Sequence, residues 1–530
     1  MKDYDLNPDL QRDFATDQTE ESEIQKFFVG QNVLITGGTG FLGNVLIEKL
    51  LRCCPGINKI YLAVRPRKGK SISERLANMF SNSLFAVLRV EMPDALKKVQ
   101  VIHADLERTN CGITEADQRL LEAEISVVFH TAATVKFDAP LKTALNINTR
   151  ATRDLIELAK RMRNLKAFVH VSTAFSNCIR DTIMEQFYAP RLSGNAAICL
   201  TEGADEDLMA ELQWPNSYVF TKNLAEDVIR EMGENLPLAI FRPGIVISTA
   251  RGPVRGWINN HYGPTGAVAG AVCGLLRVFQ ANGDCNAEIV PVDYVVNAII
   301  ACAWNVGNDY NVNILYSQVW CLSFRIIPNT FLCLLYAIML HFIPAMIIDS
   351  YLTLTGEKAR FFDLYRKLHK FSTLLSFFSL KQWEYQDENV TKLWSKLSAT
   401  DKNIFYFDLK DLVWEEYFHD YMLGLRKHLL HEHQKLKLLS LRVIFIFLTS
   451  LIDYIRIKLI IITVHMPFTT KSIVAWVLDI FWKGPSNIVG GPGPPAPPYF
   501  RPCLQKISIH PKLLFLQNKE RKRKGTLKND

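Results

Sequence analysis

One short stretch near the start limits what this chain can become. Val33 to Gly43 read Val-Leu-Ile-Thr-Gly-Gly-Thr-Gly-Phe-Leu-Gly, an apolar strand running into a glycine turn. An apolar helix follows through Leu42, Val45, Leu46 and Leu50. That order predicts the first strand-turn-helix of a parallel sheet with a dinucleotide pyrophosphate at the helix N-terminus. Gly37 permits the tight turn, Gly40 lets backbone amides approach phosphate, and Gly43 lets the helix pack close to the strand. Candidate cofactor contacts are Thr36, Gly37, Gly38, Thr39, Gly40, Phe41, Leu42 and Gly43.

A second strand, Lys59 to Val64, ends at Arg65, with Pro66, Arg67 and Lys68 beyond. An acidic residue there would bind the ribose 2′-hydroxyl of NAD, whereas Arg65 accommodates the 2′-phosphate of NADP, so NADPH is expected. Strands ending at His103 and His130 lead into Asp105-Leu106 and into Thr131, Ala132 and Ala133. Those small residues let a cofactor lie against the sheet edge. A helix around Ala144 to Met162 carries Asn148, and Ala167 to Val171 forms a fifth strand. Ligands of open α/β sheets bind outside the strand carboxyl ends, so these segments converge on one crevice.

Tyr218 and Lys222 are four apart on a helix beginning near Asn216 and share one face. A nearby ammonium lowers a phenol pKa and lets it act as an acid at neutral pH. Thr173 and Ser172 follow the fifth strand, where a hydroxyl can hold a carbonyl oxygen beside the tyrosine; a turn cap is the plainer alternative. The eleven cysteines show no paired metal spacing, so neither a metal site nor a disulfide framework is expected. The polar, acidic start through Glu23 shows no signal-peptide pattern.

These motifs resemble the extended short-chain dehydrogenase/reductase superfamily, and within it the alcohol-forming fatty acyl-CoA reductases. Val169 to Ser176, Tyr218 to Lys222, Phe241 to Val246, Gly256 to Asn260 and Pro291 to Asn297 carry the likeness. His341 to Ala345 and Tyr421 to Arg426 extend it into the C-terminal half, so it covers about residues 28 to 430. The resemblance implies a Rossmann-type doubly wound sheet followed by a mainly helical, membrane-associated domain. It implies that Tyr218 donates the proton, that Lys222 holds the nicotinamide ribose, and that Thr173 orients the substrate, with Ser172 as the neighbouring alternative. Phe175 stands where tyrosine is frequent. The implied reaction takes a long-chain acyl-CoA and two NADPH through an aldehyde to a primary alcohol. Membrane of the endoplasmic reticulum with a cytosolic catalytic domain is the implied location, and peroxisomal membrane the alternative. Competing readings are a membrane-associated sterol dehydrogenase/isomerase, a nucleotide-sugar epimerase and a non-catalytic NADPH-binding scaffold.

The expected organisation is a polar leader over 1–30, a catalytic domain over 31–300 and a C-terminal reductase domain over 301–430. Apolar, interfacial helices over 431–486 and a Pro/Gly-rich, basic tail over 487–530 follow. At 48% hydrophobic residues the chain is greasy for a soluble enzyme. The run Phe331 to Ile348, broken only by His341 and Pro344, is about as long as the roughly 20 residues a bilayer crossing needs. A buried core helix or an acyl-chain lining competes with that reading. A second apolar stretch begins at Val443 to Ile452, but Asp453, Arg456 and Lys458 interrupt its continuation and argue for an interfacial helix rather than a span. The net charge of +8 comes largely from the run Lys519 to Lys524, read as a solvated tail rather than a nucleic-acid site. Oligomeric state leaves no sequence signal.

Overall fold

The computed structural model describes residues 21–65, 69, 71–200, 213–308, 313–317 and 326–430. The chain divides into two units, Met1–Leu436 and Lys437–Asp530, and every described residue lies in the first. The expectations for residues 1–20, for the segments beyond 430 and for the basic tail lie outside the described residues.

Seven strands form one parallel sheet. In chain order they are β1 (Asn32–Thr36), β2 (Lys59–Val64), β3 (Val99–His103), β4 (Val127–His130), β5 (Ala167–Val171), β6 (Leu238–Pro243) and β7 (Asn313–Ser317). Their spatial order is β7-β6-β5-β4-β1-β2-β3. The order reverses between β1 and β4, which opens a crevice at their carboxyl ends. Parallel strands covered on both faces must be apolar on both, and the central strands β1, β4, β5 and β6 are buried along nearly their whole length. Val33, Ile35, Phe129 and Phe241 pack in one core with the Phe41–Cys53 and Val292–Asn308 helices. Leu34, Val128, Phe168 and Ile240 face a second core with Leu155 and Val228. The doubly wound sheet expected from the sequence is therefore present.

The supposed leader is partly structured. Glu23–Phe28 is a helix capped by Ser22, and Ile24 and Phe28 are fully buried. Ser22, Ile24 and Phe28 already carried the cap-plus-apolar pattern of a short helix, which the surrounding charge concealed. Asp401 accepts from the Ser22 hydroxyl at 2.5 Å and from the Glu23 and Ile24 amides at 3.2 Å each. A carboxylate at a helix N-terminus is favoured by the helix dipole, so this contact ties the start of the chain to its C-terminal segment.

Thr330–Leu354 is a helix long and apolar enough to cross a membrane, with a third of its most apolar window buried. Its turn widens over Ile338–Phe342, just before Pro344, which lacks an amide and would clash with a regular preceding turn. Ala337, His341 and Ala345 face the protein, and His341 Nε2 accepts the Arg277 amide at 3.0 Å. Phe331, Met346, Ile347, Tyr351 and Leu354 face outward. The helix therefore serves partly as core, as one of the two sequence readings held, while its other face remains apolar and exposed.

Gly256, at φ 68°, and Gly424 bring two backbones into contact. A Cβ on Gly424 would lie 1.8 Å from the Gly256 carbonyl oxygen. Backbone cannot yield as a flexible side chain can, so Gly424→Ala is expected to destabilise the protein by about 1–3 kcal/mol, measured as a fall in urea midpoint. An unchanged midpoint would mean that the two backbones separate freely.

Candidate active site

The crevice is built from close backbone approach. Gly37 lies at φ 76°, and a Cβ there would meet the Ala132 amide nitrogen at 2.7 Å. A Cβ on Gly43 would meet the Gly37 carbonyl oxygen at 2.4 Å. Gly40 caps the Phe41–Cys53 helix, and no backbone or side-chain atom lies closer than 3.1 Å to a Cβ there. A cradle made of backbone amides at a helix N-terminus fits a pyrophosphate. Gly38, Thr39, Phe41 and Leu42 complete this turn. Phe41 stacks on Trp257 with centroids 5.7 Å apart, which anchors the helix start from outside.

The other predicted cofactor residues divide by what their polar atoms already do. Thr36 braces the strands: its hydroxyl lies 2.7 Å from His130 Nδ1 and accepts the Ala132 amide at 3.4 Å. Thr131 donates to the Thr36 carbonyl at 2.7 Å. Asn148 is nearly fully buried; it donates to Thr221 Oγ1 at 2.9 Å and accepts the Thr134 amide at 2.8 Å. It therefore locks the loop after β4 to the Tyr218 helix rather than presenting its amide to the crevice. Asp105, Leu106, Ala132 and Ala133 are half-buried at the carboxyl ends of β3 and β4. Arg65 is exposed, with Glu107 at 3.9 Å. No local pattern marks Arg75, which donates to the Arg65 carbonyl and, at 3.0 Å, to Thr39 Oγ1. Arg75 thus sets a second guanidinium against the glycine turn.

The Ser217–Met232 helix is capped by Asn216, whose side chain accepts the Val219 amide at 3.0 Å. It carries Tyr218 and Lys222 to the end of β5. Thr173 lies near the Tyr218 phenol and opposes the rise in its pKa, and the Phe175 amide donates to Thr173 Oγ1 at 3.3 Å. Ser172 turns away and donates at 2.5 Å to buried Glu226. Glu226 also takes a two-pronged pair from Arg242, at 2.9 and 2.5 Å. The two neighbouring hydroxyls are thereby distinguished: Ser172 braces the helix, and Thr173 stays near enough to Tyr218 to oppose the rise in its pKa.

The electrostatics differ from the sequence expectation. Burial pushes the Tyr218 phenol up to about 12, opposed by the neighbouring Thr173 side chain. Burial also pulls Lys222 down to about 7, opposed by Glu226. Tyr218 therefore keeps its proton at neutral pH. Lys222 Nζ donates to the Val171 carbonyl at 2.6 Å and lies 3.3 Å from His170 Nε2.

Aromatic rings continue the site outward. Phe137 stacks on Tyr218 with centroids 6.0 Å apart and meets Phe378 at 5.4 Å, which meets Phe175 at 5.0 Å. Beyond them lies an apolar cavity of ≈ 120 Å³ lined by Phe175, Ile245, Val268, Leu375, Phe378 and Tyr421. Phe175 is buried against Trp383 as well, so the ring alone explains its place.

A glycine turn at a sheet switch point, with a tyrosine and a lysine one helical turn apart, defines an extended short-chain dehydrogenase/reductase. Family models of the male sterility protein match at residues 35–299, the NAD-binding region, and at residues 340–432, the Sterile region. The chain is 38% identical to "Fatty acyl-CoA reductase wat" of Drosophila melanogaster over 457 residues, covering 79% of this chain and 87% of that protein. It is 37% identical to "Fatty acyl-CoA reductase 1" of Homo sapiens, covering 77% and 86%. It belongs to the fatty acyl-CoA reductase family. The fold is shared with the reductase domain of a nonribosomal peptide synthetase from Mycobacterium tuberculosis, at 17% identity and a TM-score of 0.51, covering 77% of this chain and 96% of that one. The terminal reductase domain of the myxalamid pathway shares it at 20% identity and a TM-score of 0.50, covering 75% and 90%.

Thr173→Val should lower turnover about a hundredfold, the usual scale for losing one oxyanion donor. Ser172→Ala should leave turnover within a few-fold while lowering stability by about 1.5–3 kcal/mol, one hydrogen bond to a charged group. Steady-state rates and thermal melts separate the two. The reverse pattern would exchange the roles.

Proposed function

We propose that the chain reduces a long-chain acyl-CoA to the primary alcohol with NADPH, through an aldehyde reduced in the same crevice. The Thr173 hydroxyl and the Tyr218 phenol, brought together at the end of β5 beside an apolar cavity, carry this reading. When bound, NADPH supplies hydride. Gly37, Gly40 and Gly43 would hold its pyrophosphate, and Arg65 with Arg75 its 2′-phosphate. Thr173 would orient the carbonyl oxygen, and Tyr218 would give its proton to the developing oxyanion. A phenol held near 12 stays protonated until that negative charge appears. Lys222 stands behind, with a charge that favours proton release by Tyr218.

The acyl chain would pass Phe137 and Phe378 into the apolar cavity. Each methylene leaving water favours this by about 0.8 kcal/mol. The outward face of Thr330–Leu354 would rest on membrane, with the endoplasmic reticulum as its site and the catalytic crevice in the cytosol. Exposed Phe331, Met346, Ile347 and Leu354 support that placement, since contiguous exposed apolar surface marks interaction sites.

Membranes carrying the protein, given NADPH and a series of acyl-CoAs, should yield fatty alcohol. Tyr218→Phe should bind NADPH normally and make none. Alcohol from that variant at the wild-type rate would remove the acid role, and recovery of the protein wholly in the soluble fraction would remove the membrane placement. Joint replacement Arg65→Asp with Arg75→Ala should raise the KM for NADPH more than tenfold and spare that for NADH, since each lost charge-assisted contact to phosphate weakens binding by about 1.5–3 kcal/mol. An unchanged ratio would mean that other residues read the phosphate.

A further inference from the structure

Two fully buried histidines lie side by side under the active-site lysine. His130 and His170 are register partners at the ends of β4 and β5, with ring centroids 4.9 Å apart. His130 is saturated. Thr152 donates its hydroxyl to the Asn148 carbonyl at 2.7 Å, so it accepts from His130 Nε2 at 3.0 Å. His130 Nδ1 then accepts from Thr36 at 2.7 Å, which makes His130 a neutral imidazole. His170 differs: its Nδ1 is buried without a hydrogen-bond partner among the described residues, and its Nε2 faces Lys222 Nζ at 3.3 Å.

We propose that His170 is a positioning residue for Lys222: its neutral Nε2 accepts from the ammonium and, with the Val171 carbonyl, holds the charge in place. An ammonium has three donors. One goes to Val171 and one to His170, leaving a single donor for the crevice beside Tyr218. A fold that leaves Nδ1 unpartnered accepts a cost on this ring, which a merely space-filling side chain would not carry. Burial and the neighbouring Lys222 charge keep His170 uncharged. The other groups around Lys222 are Tyr218 and Glu226 on its own helix, His130 on β4 and, through Glu226, Arg242 on β6. The inference rests on the reading of Lys222 as the residue that supports Tyr218.

The test compares His170→Phe, which keeps a ring against His130 but removes the acceptor, with His170→Gln, which restores one. Each is made in the wild type and in Lys222→Ala, with NADPH and acyl-CoA as substrates. His170→Phe should lower kcat roughly ten- to hundredfold, the equivalent of one charge-assisted hydrogen bond. It should also move the alkaline limb of kcat/KM to lower pH, because the ammonium has lost an acceptor and deprotonates sooner. His170→Gln should recover most of both, and the Phe change should add less than about twofold once Lys222 is gone. Losses that multiply in the double variant, or an alkaline limb that stays in place, would overturn the proposal. Should His170→Phe fail to fold, His170→Leu carries the same comparison. Full activity of Lys222→Ala alone would instead remove the underlying reading of the site.

Discussion

The site depends on a buried ion pair well behind the reacting groups. Arg242 and Glu226 are both out of solvent, paired through two hydrogen bonds. Arg242 also donates to the Met184 and Gln186 carbonyls at 3.2 and 3.0 Å. Taking two charges out of water is costly, and the fold tolerates it because nearly every donor and acceptor finds a partner. The pair pins the Tyr218 helix to β6, and Ser172 extends the hold to the end of β5. Removing one partner would leave the other charge stranded, a loss of about 3–5 kcal/mol.

That bracing explains how ordinary residues acquire unusual chemistry. Tyr218 and Lys222 are both drawn away from their solution behaviour by burial, in opposite senses: the phenol holds its proton more tightly and the amine less so. Glu226 opposes the change at Lys222 and Thr173 opposes it at Tyr218. The balance leaves a protonated acid beside a lysine whose ammonium is held by Val171 and His170. An aromatic wall through Phe137 and Phe378 then suits an apolar substrate on the other side.

The C-terminal segment belongs to the same body. Residues 313–317 supply the edge strand β7, Asp401 caps the Glu23–Phe28 helix, and Leu375, Phe378 and Tyr421 line the apolar cavity. Its role is therefore to complete the crevice as well as to offer an apolar outer face.

The glycine turn, the alternation of strand and helix, and the Tyr218–Lys222 spacing were legible in the sequence because each is a local pattern, set by neighbours within a few residues. From them followed the sheet, the crevice and a tyrosine and lysine on one helical face. Choices between adjacent or distant groups were not legible. Ser172 and Thr173 look alike as a pair, and only the position of Glu226 on a packed helix separates them. Asn148 reads as a ligand until Thr134 and Thr221 satisfy its amide. Arg75 reaches Thr39, and His170 reaches Lys222, across contacts between elements far apart in the chain. Burial, which sets the sign of both pKa shifts, is likewise a property of the assembled layers. The sequence by itself determined the scaffold and the placing of Tyr218 and Lys222 on one helical face; tertiary packing decided which side chains face the crevice, because hydrogen-bond partners and exclusion of water exist only once the elements meet.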